Sequence, residues 1–288
     1  MLNHLTVPPP TPVDASAYAA VMAVLSAGNV AVLTGAGMST ASGIPDYRGP
    51  DGTRRVEPMH YAEFLADSAG RRRYWARAFA GWDRFAAAGP NASHRAVASL
   101  QASGVLSGVI TQNVDGLHQA AGAREVIELH GNLARVVCLD CERTYPRERV
   151  HGWLSEVNGS FAGEEHAVVR PDGDVALSDD VVASFNLAAC PHCGSDRLKP
   201  DVVFFGGAVA RPLVDQAFAL VEEASALLVL GSSLRVMSGY RFVRRAAARG
   251  IPVAVITRGP TRGDAQTTIG LDALLEDVLP GLADALAP

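Results

Sequence analysis

The chain has 288 residues, 48% hydrophobic and 19% charged, which suits one large domain with an insertion or two modest domains and is far from a disordered composition. A net charge of −5 gives no reason to expect nucleic acid or an anionic membrane as the main partner, and no run of 18 apolar residues marks a bilayer span. Residues 1–16, with Pro8, Pro9, Pro10 and Pro12, read as a flexible or polyproline-like tail; they lack the basic-then-apolar pattern of a secretion signal, so a cytoplasmic location is expected.

A first helix is expected over 17–27, closed by Gly28. Val30-Ala31-Val32-Leu33 is a continuous apolar run of the kind buried parallel strands show, so 29–34 reads as a strand. The turn Gly35-Ala36-Gly37 is expected to open the next helix, and 46–52 is a polar loop broken by Gly and Pro. Residues 60–88 are helical and arginine-rich, with Trp75, Phe79 and Trp82 on one face, a stripe that suits core packing. A helix over 91–101 precedes a strand over 104–111, which ends in Gln112-Asn113-Val114-Asp115. A short strand, 125–129, delivers His130.

From Cys138 to Cys193 the composition turns acidic and polar, with turn signals at Pro171-Asp172-Gly173-Asp174. Val202 to Phe205 is then extended and ends at Gly206-Gly207. A helix over 211–224, a strand over 226–230 leading into Gly231-Ser232-Ser233, a helix over 238–249 and a strand over 252–256 follow. A C-terminal helix over 272–286 is broken near Pro280-Gly281. This alternation predicts an α/β fold: a doubly wound, parallel-sheet, Rossmann-like domain over 17–137 and 194–288, with a helical segment at about 53–90. Residues 138–193 form a small inserted module.

Cys138-x-x-Cys141 and Cys190-x-x-Cys193 match tetrahedral Zn²⁺ ligation by four thiolates. A redox dithiol needs only one pair, and disulfides are disfavoured without export. The spacer, residues 142–189, exceeds the ~15–20 of a compact ribbon, so it carries something extra. Four protein ligands leave no open position, which makes the expected metal structural. Lys199 is the only lysine beside many arginines, a pattern that codon bias explains.

Ligands of open α/β sheets sit beyond the carboxyl ends of the strands. Here those ends carry Gly35-Ala36-Gly37-Met38-Ser39, Thr111 to Asp115, His130-Gly131 and Gly231-Ser232-Ser233. Gly35-x-Gly37 lets backbone N–H groups approach a pyrophosphate, and Ser232 and Ser233 add donors. Ser39 or Thr40 stands where a third fingerprint glycine is usual, and no acid follows at the usual ~20-residue interval, so a hydride-transfer fingerprint is incomplete. Gln112, Asn113 and Asp115 suit turn chemistry as well as binding. A histidine near neutral pKa, His130, is able to accept a proton from a ribose hydroxyl. Asp46 and Arg48 are placed to orient and screen a pyrophosphate.

Gly35 to Arg48, Thr111 to His118, His130-Gly131 and the two cysteine pairs, in that order over about residues 17–280, resemble the sirtuin family of NAD-dependent protein deacylases. Pro171 to Val175, Gly239-Tyr240-Arg241-Phe242, Gly259-Pro260-Thr261-Arg262 and the long cysteine spacer look most similar to class II, the branch that includes a mitochondrial sirtuin with lipoamidase and ADP-ribosyltransferase activity. The resemblance implies NAD as co-substrate and one structural zinc. It implies that Gly35, Ala36, Gly37, Ser39 and Arg48 serve the diphosphate side, with Tyr47, between Pro45-Asp46 and Arg48, shielding the nicotinamide ribose. Asn113, Asp115, the neighbouring Val114 and the Ile44 backbone would form the nicotinamide pocket, with Asn113 and His130 catalytic and Gln112 on the ribose. Gly231, Ser232, Ser233, Thr257, Arg258, Gly259 and Leu275 would hold the adenosine side.

An acyl-lysine peptide would pair as an added strand between Val203-Phe204-Phe205-Gly206 and the segment bearing Leu234 and Val236. In the implied reaction the acyl oxygen attacks C1′ as nicotinamide leaves, and His130 takes the ribose proton; the products are lysine, nicotinamide and O-acyl-ADP-ribose. Thr257 stands where the family usually has Asn, which implies weaker NAD affinity. Residues 49–62 lack the Tyr-x-x-Arg pair of succinyl-lysine specialists, although Arg54 and Arg55 are near enough in sequence to meet an acidic acyl chain. A mono-ADP-ribosyltransferase using the same site is the alternative, and a non-catalytic NAD-binding scaffold is the third. The expected partners are acyl-lysine proteins, with a monomeric chain.

Overall fold

The computed structural model describes residues 13–49, 53–54, 56–159, 161 and 169–287. Most of the proline-rich tail, Arg55 and residues 50–52 of the polar loop lie outside the described residues. Among the described residues, nine strands follow in chain order: β1 (Val30–Thr34), β2 (Leu106–Thr111), β3 (Val126–Glu128), β4 (Gly131–Cys138), β5 (Thr144–Pro146), β6 (Leu198–Val202), β7 (Ala226–Leu230), β8 (Val253–Ile256) and β9 (Ile269–Leu271). Ten helices accompany them: α1 (Ala15–Ser26), α2 (Tyr61–Ala66), α3 (Ser68–Ala86), α4 (Ala92–Ala102), α5 (Leu117–Ala120), α6 (Arg147–Asn158), α7 (Asp179–Ala183), α8 (Arg211–Glu223), α9 (Met237–Arg249) and α10 (Leu275–Ala285).

The large sheet runs β3-β2-β1-β7-β8-β9, all parallel, the strand order of the doubly wound dinucleotide fold. Its central strands β1 and β7 are buried at every position because helices cover both faces. Val30 and Val32 of β1 pack with Val21 and Leu25 of α1, Val97 and Leu100 of α4 and Leu282 of α10. Ala31 and Leu33, on the opposite face, pack with Val221 of α8 and Phe242 and Val243 of α9. Among the described residues, no helix is long and apolar enough to cross a membrane.

A second, antiparallel sheet, β5-β4-β6, carries the cysteine pairs. It is tied to the helical segment by the aromatic stripe. Trp75 and Trp82 are buried, and the Trp75 indole donates to the Leu198 carbonyl at 2.8 Å. The Arg147 guanidinium lies 4.7 Å and 4.6 Å from the two indole rings and donates to the Ala78 carbonyl. The stripe therefore joins the helical segment to the second sheet.

Three sequence expectations change in detail, and one strand had none. After Gly35 the chain makes two 3₁₀ turns, Ala36–Met38 and Thr40–Ser42, instead of an α-helix. Hydrogen bonds across the sheet end, such as Gly37 N to Gly231 O at 2.9 Å, take the place of a helical ladder. The segment 60–88 is two helices, split where the Asp67 side chain accepts from the Gly70 N–H and caps α3. Pro280 does not break α10, whose Leu279, Leu282 and Ala283 stay buried; packing outweighs the missing donor. The strand β9 carries too short an apolar run to announce itself.

Candidate active site

The strand order reverses between β1 and β7, and the loops leaving these two strands touch. Gly35 N donates to Leu230 O at 3.0 Å, and Gly37 N to Gly231 O at 2.9 Å. A Cβ on Gly35 would sit 2.7 Å from Ser232 Cβ, and one on Gly231 would sit 2.7 Å from the Gly37 carbonyl carbon. Gly231 also holds φ +60°, so glycine serves both the close approach and the left-handed backbone. The result is a concave end of the sheet lined by backbone at the switch point, where this fold binds nucleotides.

The strand end of β2 closes one side. Gln112 Nε2 donates to Ser232 Oγ at 2.8 Å and to Thr34 O at 3.2 Å, which joins the ends of β1, β2 and β7. Asn113 Nδ2 reaches Gly35 O at 3.1 Å and Ser39 Oγ at 3.0 Å. Ser39 in turn donates to Asp115 Oδ2 at 2.6 Å, and Leu117 N donates to Asp115 Oδ1 at 2.9 Å. Burial pushes the Asp115 carboxyl upward, while the Ser39 and Leu117 donors pull it back. Ile44 is buried beside this group.

His130 follows β3 and precedes β4. Its Nδ1 lies 2.8 Å from Gln112 O, and its Nε2 lies 2.8 Å from Ser238 Oγ. A carbonyl only accepts, so Nδ1 carries the proton and Nε2 presents a lone pair. Burial lowers the His130 pKa, the Gln112 carbonyl partly restores it, and the Arg241 guanidinium lowers it again. The ring is therefore neutral near pH 7, as a proton acceptor must be. Its own carbonyl accepts from Val203 N at 2.8 Å, which ties His130 to the segment Val203–Gly206.

One cavity of about 1190 Å³ collects these groups. It is lined by Gly35, Ala36, Gly37, Ser39, Ile44, Pro45, Asp46, Tyr47, Arg48, Gln112, Asn113, Val114, Asp115, His130, Gly231, Ser232, Ser233, Thr257, Arg258 and Leu275. Val203, Phe204, Phe205, Gly206, Leu234 and Val236 line its other end, so the two expected peptide-pairing segments face one opening. Gly259 stands apart from the lining; its N–H donates to Asp272 Oδ1 at 3.2 Å. Tyr47 packs edge-on to Phe205 at 5.8 Å, joining the loop that holds Asp46 and Arg48 to the segment Val203–Gly206.

The structure adds lining residues that sequence reasoning passed over: Tyr74, Asp172, Ser238 and Arg241. Tyr74 and Asp172 come from the helical segment and the second sheet's long connection, and neither follows a strand of the large sheet. Ser238, at the second position of α9, stands in a stretch that reads as an ordinary helix start.

The sulfur atoms of Cys138, Cys141, Cys190 and Cys193 all lie within 4.8 Å of one another, and none is in a disulfide. Cys138 and Cys193 Sγ are 3.5 Å apart, and Cys141 and Cys190 Sγ 3.8 Å. A tetrahedral zinc with Zn–S near ~2.3 Å sets its sulfurs roughly 3.8 Å apart, so the cluster fits one such ion. Two matching turns present the thiols: Glu142 N bonds Cys138 O at 2.9 Å, and Gly194 N bonds Cys190 O at 2.8 Å.

The Sir2 family model matches residues 35–238, which spans both strand-end loops and the cysteine cluster. An NAD-dependent protein deacetylase 1 of Streptomyces coelicolor is 52% identical over 263 residues, 91% of this chain and 87% of that relative. The NAD-dependent protein deacylase Sirt4 of Drosophila melanogaster is 45% identical over 264 residues, covering 90% and 84% of the two chains. A solved Sir2–p53 peptide–NAD⁺ complex superposes with a TM-score of 0.73 at 29% identity, covering 92% of this chain and 97% of that one. Sequence and structure agree that the chain belongs to the Sir2 family, the sirtuins.

Proposed function

We propose that this chain is an NAD-dependent protein-lysine deacylase that transfers the acyl group of a modified lysine to ADP-ribose and releases nicotinamide. The observation that carries the reading is His130: an imidazole fixed through Nδ1 to the Gln112 carbonyl and through Nε2 to Ser238, which lines the same cavity as the switch-point glycines and the two peptide-pairing segments. Relatives at 45% to 52% identity are named as NAD-dependent protein deacetylases or deacylases, and a structurally similar Sir2 protein has been solved with a p53 peptide and NAD⁺.

In this reading Asn113, Asp115 and Ser39 bind the nicotinamide amide, with the Ser39 hydroxyl orienting both Asn113 and Asp115. Gln112 and the Gly35–Gly37 turn bind the ribose and diphosphate. His130 Nε2 removes the proton from the ribose hydroxyl that attacks the acyl carbon. The Val203–Gly206 and Ser233–Val236 segments pair with the substrate backbone as flanking strands. The four cysteines hold a structural zinc that braces β4 against β6. The likeness to Drosophila Sirt4, with the Pro171–Val175 and Gly239–Phe242 motifs, supports a class II assignment. The reading further takes the chain as a cytoplasmic monomer acting on acyl-lysine proteins.

The test is a panel of acyl-lysine peptides (acetyl, propionyl, glutaryl, methylglutaryl, lipoyl, myristoyl) incubated with NAD, with products identified by mass spectrometry. O-acyl-ADP-ribose from the unaltered chain, and its loss in folded His130→Ala, is the expected result. ADP-ribosylated protein without O-acyl-ADP-ribose would move the assignment to a transferase.

A further inference from the structure

Ser238 touches the proposed base directly. It is 8% exposed, its Oγ lies 2.8 Å from His130 Nε2, and among the described residues that hydroxyl has no other hydrogen-bond partner. Because Nδ1 already donates to the Gln112 carbonyl, Nε2 of the resting ring accepts, and the serine hydroxyl must be the donor. The contact depends on how closely α9 approaches the end of β2. A Cβ on Gly239 would lie 2.5 Å from Gln112 Oε1 and 2.7 Å from its Cδ. That amide is held by Ser232 and the Thr34 carbonyl, so it has little room to move aside. Gly239 thus lets the first turn of α9 rest on Gln112, and the preceding residue then reaches the imidazole.

The surroundings make an imidazolium expensive at this position. Burial disfavours it, Arg241 repels it from one turn further along α9, and the positive end of the helix points the same way. The groups facing the ring are the Gln112 carbonyl from the β2 end and, from α9, Ser238 and Arg241. No carboxylate hydrogen-bonds to it among the described residues. A base in that setting needs an acceptor ready for the proton that it takes up.

Resting on the reading of His130 as general base, we propose that Ser238 is a positioning residue that fixes the orientation of the His130 ring at the cavity wall and then stabilises the protonated ring. In the empty site its hydroxyl donates to Nε2. When a ribose hydroxyl reaches the ring, the serine hydroxyl turns off the single Nε2 lone pair; the ribose oxygen gives its proton to that lone pair and leaves as the nucleophile, and Ser238 Oγ, keeping its own proton throughout, accepts from the new Nε2–H. The neutral bond is exchanged for a charge-assisted one, roughly twice as strong. Removing the hydroxyl costs the protonated ring more than the neutral ring, so the base becomes weaker.

The experiment compares wild type, Ser238→Ala, Ser238→Gly, Ser238→Thr and His130→Ala on one acyl-lysine peptide. It measures kcat, KM for NAD and the acid limb of kcat/KM, and follows the His130 ring by NMR titration of the ligand-free protein. Ser238→Ala should lower kcat roughly 10-fold, a fraction of the ~10²–10⁴ a general base supplies, and shift both the acid limb and the His130 titration to lower pH. Ser238→Thr, which keeps a hydroxyl, should restore both; Ser238→Gly repeats the deletion should the alanine variant not fold. A wild-type acid limb in Ser238→Ala, a shift to higher pH, or a threonine variant as impaired as alanine overturns the assignment. Wild-type turnover in His130→Ala would instead reject His130 as the base, a separate failure.

Discussion

Asn113 Nδ2 and Ser39 Oγ lie 3.0 Å apart, joining the turn after β2 to the 3₁₀ turns after β1. The same Ser39 hydroxyl donates to Asp115 at 2.6 Å, so one small side chain orients both polar groups assigned to nicotinamide. Ser39→Ala should leave Asp115 short of a donor and let its carboxyl rise further. A lost hydrogen bond to a charged group is worth about 1.5–3 kcal/mol, which predicts nicotinamide release slowed roughly 10- to 100-fold. NAD affinity by calorimetry should change far less. Equal losses in binding and release would mean that Ser39 serves the whole dinucleotide.

Gly231→Ala tests the switch point. The substitution strains a left-handed backbone and pushes a methyl into the Gly37 peptide, a combined cost on the order of 1–3 kcal/mol. The loops after β1 and β7 should separate, lowering the melting temperature and weakening NAD binding together. A variant with wild-type NAD affinity would show that the two loops bind independently.

Beneath the site, His118 Nε2 lies 3.0 Å from Thr34 Oγ1, which donates to Thr111 Oγ1 at 2.8 Å; the His94 ring packs edge-on to His118 at 5.0 Å. Burial pushes His118 down to about 3 and His94 down to about 4. Both stay neutral in the native state, whereas the unfolded chain takes up protons near pH 6.5. The cost is absent above that value and grows as pH falls toward 4, on the order of 3 kcal/mol for His94. Urea midpoints should therefore drop steeply between pH 6.5 and 4.5, and His94→Gln should flatten that slope. Parallel slopes in the two proteins would remove the pair as the cause.

Zinc should be present at about one per chain, and its removal by chelation or by Cys190→Ser should loosen β4, β5 and β6 first. Trp75 donates to Leu198 of β6, so its fluorescence should report the loss. Folded, metal-free protein with unchanged tryptophan emission would contradict this.

Arg147 is clasped between Trp75 and Trp82 and is fully buried with a bond to Ala78 O. Arg147→Lys keeps a charge but loses the planar stacking, and should destabilise by about 1–3 kcal/mol in thermal denaturation. An unchanged melting temperature would show that the indoles pack without it.

The strand ends were legible along the chain because each chemical group there follows an apolar run whose length and β-branched content mark it as buried. Gly35, Gln112, Asn113, His130 and Ser232 all surfaced this way. The two cysteine pairs were equally plain, since their spacing carries the ligand geometry. Local pattern misled where long-range contact outweighed it. The expected helix after Gly35 became 3₁₀ turns because the Gly231 carbonyl holds the Gly37 N–H, and α10 runs through Pro280 because its buried face is apolar on both sides of the proline.

Periodicity and spacing by themselves determined the layered α/β class, the four-cysteine cluster and which short polar stretches end the strands at the cavity. Tertiary structure alone decided the strand order, the contact of Gly37 with Gly231 and the meeting of Ser238 with His130, 108 residues apart. Apolar period and motif spacing are properties of neighbours along the chain. A hydrogen bond between distant side chains exists only once the sheet order and helix packing have brought them within 3 Å.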